Sequence, residues 1–352
     1  MEARKILEEA VTKQASDVFI IAGSPCALKI DGKIQKYNDV NLTPHDTEHF
    51  IREIYAIAGK DDIDHFLKTG DDDFSFSISE VGRFRVNVYQ QRNSLAAVLR
   101  IVRFELPDPT RMHIPSQIIQ LARLMKGLVL VTGPAGSGKS TTLACIIDEI
   151  NRSRQSHIIT IEDPIEYLHT HNKSIVSQRE VYHDTESYVT ALRAALREAP
   201  EVILVGEMRD LETIDIAITA AETGHLVFSS LHTIGAANTI DRMIDVFPSS
   251  QQQQIKVQLA MVLNAVISQQ LIPSLDGKMI PVFEIMICTP AIRNLIREGK
   301  THQIDNAIAS SKDQGMVNMD DSLLELFQNH QISKETALLY ATHPAVLEKK
   351  LI

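Results

Sequence analysis

The stretch Gly133-Pro134-Ala135-Gly136-Ser137-Gly138-Lys139-Ser140 constrains this chain more than any other. It matches the phosphate-binding loop pattern G-x-x-x-x-G-K-[ST], a pattern that has meaning only between a strand and a helix. Leu128-Val129-Leu130-Val131 precedes it, a short apolar run of the kind that forms a buried parallel strand. Thr141 to Arg152 follows, with Leu143, Ile146, Ile147 and Ile150 at helical spacing. Glycines let backbone N–H groups turn toward a polyphosphate, and the helix N-terminus adds the positive end of its dipole. The expected contacts to a nucleoside triphosphate run from Gly133 to Thr141. Lys139 reaches the outer phosphates, and the Ser140 hydroxyl holds Mg²⁺.

Composition removes several other classes. A chain of 352 residues has room for two domains. No apolar run reaches the length of a membrane-spanning helix, and Met-Glu-Ala-Arg-Lys-Ile-Leu-Glu-Glu lacks the apolar centre of a signal peptide. Cys26, Cys145 and Cys288 lie far apart. That argues for a reducing cytoplasm and against both disulfides and a Cys-cluster zinc site. A net charge of −10 with no tryptophan is not the composition of a nucleic-acid coat, so no stable nucleic-acid binding is expected.

The fold class read from the chain is α/β. Residues 1–103 read as a small α+β domain: a helix over Lys5–Val11, strands over Asp17–Ile21, Ala27–Ile30 and Gly32–Lys36, and a helix from Thr43-Pro44 to Ala58. Further strands fall at Phe74–Ile78, Gly82–Gln91 and Leu95–Val102. Residues 104–115, with Pro107, Pro109 and Pro115, read as a linker, because proline fixes φ and lacks an amide donor. Residues 116–352 then alternate. Strands are expected at Ile158–Ile161, Val202–Val205 and Leu226–Phe228, and helices at Ser187–Arg197, Leu211–Thr223 and Ser249–Gln270. That alternation predicts a parallel sheet covered by helices, with a helical, polar region after about Met286.

The strand ends carry further chemistry. Ile161-Glu162-Asp163-Pro164-Ile165-Glu166 puts three carboxylates after one strand, and Val202-Ile203-Leu204-Val205-Gly206-Glu207 ends another in an acid. Carboxylates at such positions orient water or hold Mg²⁺ through its waters, although a solvated acidic turn has the same composition. His225 and His232 bracket a further strand about 23 Å apart, too far to share a metal. His232 is the candidate phosphate contact, and His225 reads as structural. Arg83, Arg85, Arg92, Arg100 and Arg103 cluster in the first domain. A guanidinium stabilises a transferring phosphoryl group, and a row of arginines equally makes a solvated basic face.

Together these segments resemble the Walker A, Asp-box, Walker B and His-box elements of the secretion ATPase superfamily. Pro290-Ala291-Ile292-Arg293-Asn294-Leu295-Ile296-Arg297-Glu298 is similar to the C-terminal signature of its type IV pilus retraction ATPases. The resemblance runs nearly end to end. It implies a PAS-like N-terminal domain, signalled by Ala15-Ser16-Asp17 and Asp31-Gly32, followed by a RecA-like P-loop NTPase domain. It also implies a homohexamer at the inner face of the cytoplasmic membrane, with ATP and Mg²⁺ between the two domains. The partner it implies is an inner-membrane pilus platform protein, with other pilus ATPases left open.

Carried onto this chain, the resemblance makes Glu162 and Glu207 candidates for water activation and Mg²⁺ handling, with the choice of base open. It makes His232 the phosphate-proximal histidine, and Arg85, Arg92 and Arg100 arginine-finger candidates. Arg293 and Arg297 are expected to couple the motor to its output from the polar side of a helix whose Ile292, Leu295 and Ile296 share a packing face. Two departures stand out: Ser229-Ser230 before Leu-His-Thr, and Ala199 within Glu198-Ala199-Pro200-Glu201. Competing readings are a pilus-assembly or type II secretion ATPase, a RecA-type nucleic-acid motor and a non-hydrolysing nucleotide-gated adaptor. The first is disfavoured by the missing four-cysteine zinc insertion.

Overall fold

The computed structural model describes residues 2–30, 32–61, 63–79, 81–102 and 106–351. Asp31, Arg103 and residues 104–105 of the expected linker lie outside them. The chain divides into two compact units, the second beginning at Leu106.

In the first unit, strands β1 (Asp17–Ile20), β2 (Pro25–Ile30), β3 (Lys33–Asn41), β4 (Asp71–Ile78), β5 (Gly82–Gln91) and β6 (Ser94–Val102) form one antiparallel sheet, ordered β3-β2-β1-β6-β5-β4. Strand β5 alternates as its sequence demands: Phe84, Val86 and Val88 point into the core, Arg83 and Arg85 to the other face. Helices α1 (Ala3–Thr12), α2 (Pro44–Ala58) and α3 (Ile63–Thr69) supply Leu7, Phe50, Ile54 and Phe66 to that core. The second of these starts at a reciprocal cap between Thr43 and Asp46 and stops at Gly59, whose φ of 66° few other residues adopt.

The second unit is built on a seven-stranded sheet. Its strands are β7 (Gly127–Thr132), β8 (His157–Glu162), β9 (Ile175–Glu180), β10 (Val202–Val205), β11 (Leu226–Leu231), β12 (Leu263–Pro273) and β13 (Met279–Ile287). Their order is β13-β12-β7-β11-β10-β8-β9, and all but β13 run parallel. Both faces of the central strands β7, β10 and β11 are covered, which is why they read as largely apolar runs, while the edge strand β9 is polar. Leu128 and Leu130 pack into one core and Val129 and Val131 into the other. Each such side chain, fully buried, contributes about 1.5–3 kcal/mol.

Helices α4 (Ser116–Ile119) and α5 (Lys139–Ser153) cover the face holding Val129. The other face is covered by α6 (Tyr188–Ala195), α7 (Leu211–Glu222), α8 (Ala236–Asp245), α9 (Ser249–Val262), α10 (Pro290–Glu298) and α11 (Ile304–Ala309). Helices α12 (Met319–Gln328), α13 (Lys334–Tyr340) and α14 (Pro344–Glu348) close a smaller core on Ile272 and Val282. The proline-bearing segment 106–115 clusters with this unit, and Pro107 O accepts the Cys145 thiol at 3.3 Å.

The expected helix over Ser249–Gln270 is a correction. It ends at Val262, and the backbone passes into β12 at Leu263 with φ −68° and ψ 125°. No loop residue separates helix from strand, so no turn signal marks the change. The sheet imposes it: β12 fills the slot between β7 and β13, where its backbone amides and carbonyls find partners on both sides. After β13 ends at Ile287 the chain is helical from Pro290 onward, as expected beyond about Met286.

Candidate active site

Parallel pairing brings the C-terminal ends of four strands to one edge of the sheet. Thr132 pairs with Leu231, Ser229 with Val205, and Val205 with Ile161. The residues just beyond them are Gly133, His232, Gly206-Glu207 and Glu162. In an open α/β sheet this edge is where ligands bind. Counting strands, Glu207 lies two positions from β7 and Glu162 three, about 10 and 14 Å at ordinary strand spacing.

The loop Gly133–Gly138 leads directly into α5, whose first residue is Lys139. Its shape depends on missing side chains. Gly133 has φ +142°, and a Cβ there would collide with the Gln269 carbonyl oxygen. Gly138 has φ +89°, and its Cβ would stand 2.9 Å from Gln269 Nε2. Pro134, Ala135 and Gly136 form the exposed rim. Lys139 is buried, its ammonium donating to Gly133 O and Pro134 O, each at 2.9 Å. Ser140 and Thr141 follow, half-buried on the first turn. Ser137 is buried, and its hydroxyl oxygen has no hydrogen-bond partner among the described residues, in a loop whose sequence pattern binds polyphosphate. These features fit a bound nucleotide phosphate chain.

Glu207 is largely buried and both its oxygens are engaged. Arg209 Nη2 donates to Oε1 at 2.6 Å, and His232 Nε2 lies 3.2 Å from Oε2. Arg209 reaches in from solvent, and its bond to Glu207 pushes its guanidinium pKa above the ordinary value. Gly206 is required by its neighbours, since a Cβ would sit 3.1 Å from the Tyr188 hydroxyl and 3.2 Å from Ile161 O. Burial, with Glu207, Asp163 and Glu162 nearby, pushes the Tyr188 phenol well above the ordinary tyrosine range. Tyr188, Asp163, Glu207 and Arg209 line a cleft of about 190 Å³. Glu162 accepts from Thr160 Oγ1 at 2.7 Å and from Gln178 Nε2 at 3.4 Å. Glu166 is exposed and belongs to the first compact unit.

The unusual serines have structural work. Ser229 Oγ donates to Val205 O at 2.7 Å and Ser230 Oγ to Gly206 O at 2.6 Å, lacing β11 to the Glu207 strand. His225 is held by Ala220 O and Thr223 Oγ1, as a structural histidine is.

In the first unit, Arg85 and Arg100 are direct cross-strand partners. Like charges so placed repel, and each has an acid beside it: Asp73 at 2.8 Å from Arg85 and Asp17 at 3.2 Å from Arg100. Arg92 stands in the tight β5–β6 turn with φ +47°.

On α10, Ile292 and Ile296 are fully buried and Leu295 partly so. Arg297 is exposed. Arg293 departs from the expectation of a free charge. Its guanidinium donates to Ala260 O at 2.7 Å, Met261 O at 2.9 Å and Asn264 Oδ1 at 3.1 Å. It thus caps the carbonyl end of α9, where a cation is favoured by the helix dipole. The sequence reading also missed Gln269, Arg209 and Tyr188. Gln269, whose Oε1 accepts from Thr142 Oγ1 at 2.7 Å, was hidden inside the misread helix.

Fold and site define a P-loop nucleotide-binding α/β protein with acidic and histidine groups beside the phosphate loop. Residues 2–280 match the family model described as "Type II/IV secretion system protein". The chain is 44% identical over 337 residues to the "Type IV pilus retractation ATPase PilT" of Pseudomonas aeruginosa, covering 96% of this chain and 97% of that one. It is 41% identical to a "Twitching motility protein" of Neisseria gonorrhoeae, with 94% and 88% covered. A crystal structure of the pilus retraction motor PilT with bound ADP superposes with a TM-score of 0.90 at 46% identity, covering 99% of each chain. The chain belongs to the type II/IV secretion system protein family.

Proposed function

We propose that this chain is an ATP-hydrolysing motor that drives type IV pilus retraction, the depolymerisation underlying twitching motility. The observation that carries the nucleotide chemistry is the single strand edge on which Lys139, Glu207 and His232 follow three neighbouring strands. The pilus assignment rests on end-to-end similarity to retraction ATPases. In this reading the first unit is PAS-like and the second RecA-like. Six copies form a ring at the inner face of the cytoplasmic membrane, against an inner-membrane platform protein and beside other pilus ATPases, without stable nucleic-acid binding. Among the described residues, no helix is long and apolar enough to cross a membrane.

Gly133–Thr141 bind the phosphates of ATP. Lys139 exchanges its two loop carbonyls for phosphate oxygens, a stronger charge-assisted pairing. Ser140, and Glu207 partly through water, would hold Mg²⁺, which neutralises charge on the phosphates when bound. Glu207 and Glu162 remain the two candidates to orient the attacking water, and His232, in contact with Glu207 Oε2, is the proposed phosphate-proximal histidine. Arg85, Arg92 and Arg100 supply guanidinium charge to the transferring phosphoryl group.

Deleting the gene and imaging surface pili tests the reading. Hyperpiliated cells whose pili do not retract are expected. Bald cells would reassign the chain to pilus assembly, and DNA-stimulated hydrolysis by the purified protein would reassign it to a nucleic-acid motor.

A further inference from the structure

A rung of buried polar side chains crosses three strands beside the His232 loop. Thr132 on β7, Ser268 on β12 and Glu284 on β13 are successive register partners, so their side chains share one face. Their exposures are 0%, 0% and 4%. Each meets the segment that follows His232. The Gly235 N–H donates to Ser268 Oγ at 2.9 Å, the Ala236 N–H to Glu284 Oε1 at 2.8 Å, and Thr239 Oγ1 to Thr132 Oγ1 at 3.5 Å. Thr132 is also the residue before the phosphate loop.

Glu284 does one thing more. Its other oxygen, Oε2, accepts the Met319 N–H at 3.3 Å. One buried carboxylate therefore joins the first residue of α8 to the first residue of α12, at two helix ends whose dipoles favour an anion. Burial pushes this carboxyl above the ordinary range, against the opposing pull of the Ala236 amide. Burying a carboxylate is costly, and an apolar residue of similar size would fill the space without that penalty. Beyond Met319 lies a cavity of about 290 Å³, lined by Glu284, Asp305, Asp320 and Leu347 among others. A second pocket of about 480 Å³ borders the same helix at Ser322, Glu325 and Leu326, so α12 has room to shift where close packing would forbid it.

We propose that Glu284 is a positioning residue that transmits the state of the His232 loop to α12, so that nucleotide turnover moves the C-terminal helices. The proposal rests on the nucleotide-site reading above. His232 touches Glu207 at one end of a short segment, Glu284 holds the other end, and α12 hangs from the same carboxylate.

The test is Glu284→Gln in the full-length protein. Glutamine keeps the shape and one acceptor but turns the other oxygen into an NH₂ donor facing an amide N–H. Amide hydrogen exchange is followed with and without a non-hydrolysable ATP analogue, alongside KM and kcat for ATP. In the wild type, exchange over residues 319–328 should change about fivefold or more on binding the analogue. The variant should keep the response at residues 233–239 and a KM within about twofold of wild type, and lose the response at 319–328. A merely structural role would speed exchange in α12 equally with and without analogue; an unchanged ratio overturns the proposal. If Glu284→Gln does not fold, Glu284→Asp keeps the charge on a side chain too short to hold both the Ala236 and Met319 amides and should shrink the same ratio; no change there is equally fatal. Wild-type protein that binds the analogue without any response in α12 sinks this proposal alone. Wild-type protein that binds no nucleotide sinks it together with the site assignment.

Discussion

The Glu207 carboxylate and the His232 imidazole meet across the ends of two neighbouring strands, Oε2 to Nε2 at 3.2 Å. The acid that follows β10 and the histidine that follows β11 are thus one unit, with Arg209 on the remaining oxygen. Glu207→Gln removes the charge that both partners read. Its rate of ATP hydrolysis should fall far more than its affinity for ATP, by about 10²-fold or more in kcat. Glu162→Gln should act in the same direction, because its carboxylate also ends a strand on this edge. Equal losses of binding and turnover would make either residue part of the pocket wall, and full activity would leave it a structural hydrogen-bond acceptor.

Lys139→Ala should abolish hydrolysis while the protein still folds. The ammonium donates to two carbonyls of its own loop, Gly133 O and Pro134 O, so its loss loosens the loop while the apolar cores of the second unit keep their side chains. Hydrolysis and thermal melting of the purified variant check both halves; Mg²⁺-dependent turnover near the wild-type rate would refute the phosphate site.

Gly133→Ala should be worse for the loop than Lys139→Ala. The added methyl meets a β12 carbonyl that the sheet holds in place, at a φ of +142° that alanine rarely adopts. A backbone so forced costs about 1–3 kcal/mol, and nucleotide binding should vanish with it. Titration with a fluorescent ATP analogue reads this directly; wild-type affinity would mean that the loop accommodates a side chain.

Alanine at Arg85, Arg92 and Arg100 should slow hydrolysis, each by less than the 10³–10⁵-fold seen for a sole arginine finger. Stability separates two of them. Arg85 pairs with the half-exposed Asp73, a bond worth at most about 1 kcal/mol. Arg100 pairs with the buried Asp17, which its removal leaves with Ser16 Oγ. Arg100→Ala should therefore lower the melting temperature more than Arg85→Ala. Unchanged turnover for all three, with assembly verified, returns them to a surface role.

Arg297→Ala should leave hydrolysis largely intact and stop pilus retraction, since its side chain is exposed on α10. Arg293→Ala belongs to a different experiment. It uncaps α9 by removing bonds to two main-chain carbonyls, at a cost of about 1.5–3 kcal/mol for charged donors of this kind. A double variant would confuse the two effects. Equal melting temperatures for Arg293→Ala and wild type would dispose of the capping role.

The phosphate loop, its strand and its helix were legible because three local signals agree there: an apolar run, positive-φ glycines and helical periodicity. Strands β8, β10 and β11 were legible because they are buried on both faces and hence largely apolar, whereas the polar, half-exposed edge strand β9 was not anticipated. The passage from α9 to β12 was not. Ile255, Leu259, Val262, Val266 and Gln269 suit a continued helix by spacing, and only the vacancy between β7 and β13 makes the last part extended. With that strand misread, Gln269 could not be placed against the phosphate loop. Arg293 was misjudged for a related reason. Periodicity says which residues leave the packed face, but not that a carbonyl end of another helix lies within reach.

The direct junction at Val262 and Leu263 also limits how this chain can vary in length. One residue added there would turn the helix behind it by about 100° or invert every side chain of the strand ahead. Inversion would carry Ser268 and Gln269 to opposite sides, stripping one face of its polar anchors and thrusting a glutamine into the other. Insertions are free to accumulate instead in the exposed turn from Ser274 to Lys278, where Gly277 sits with open space around it.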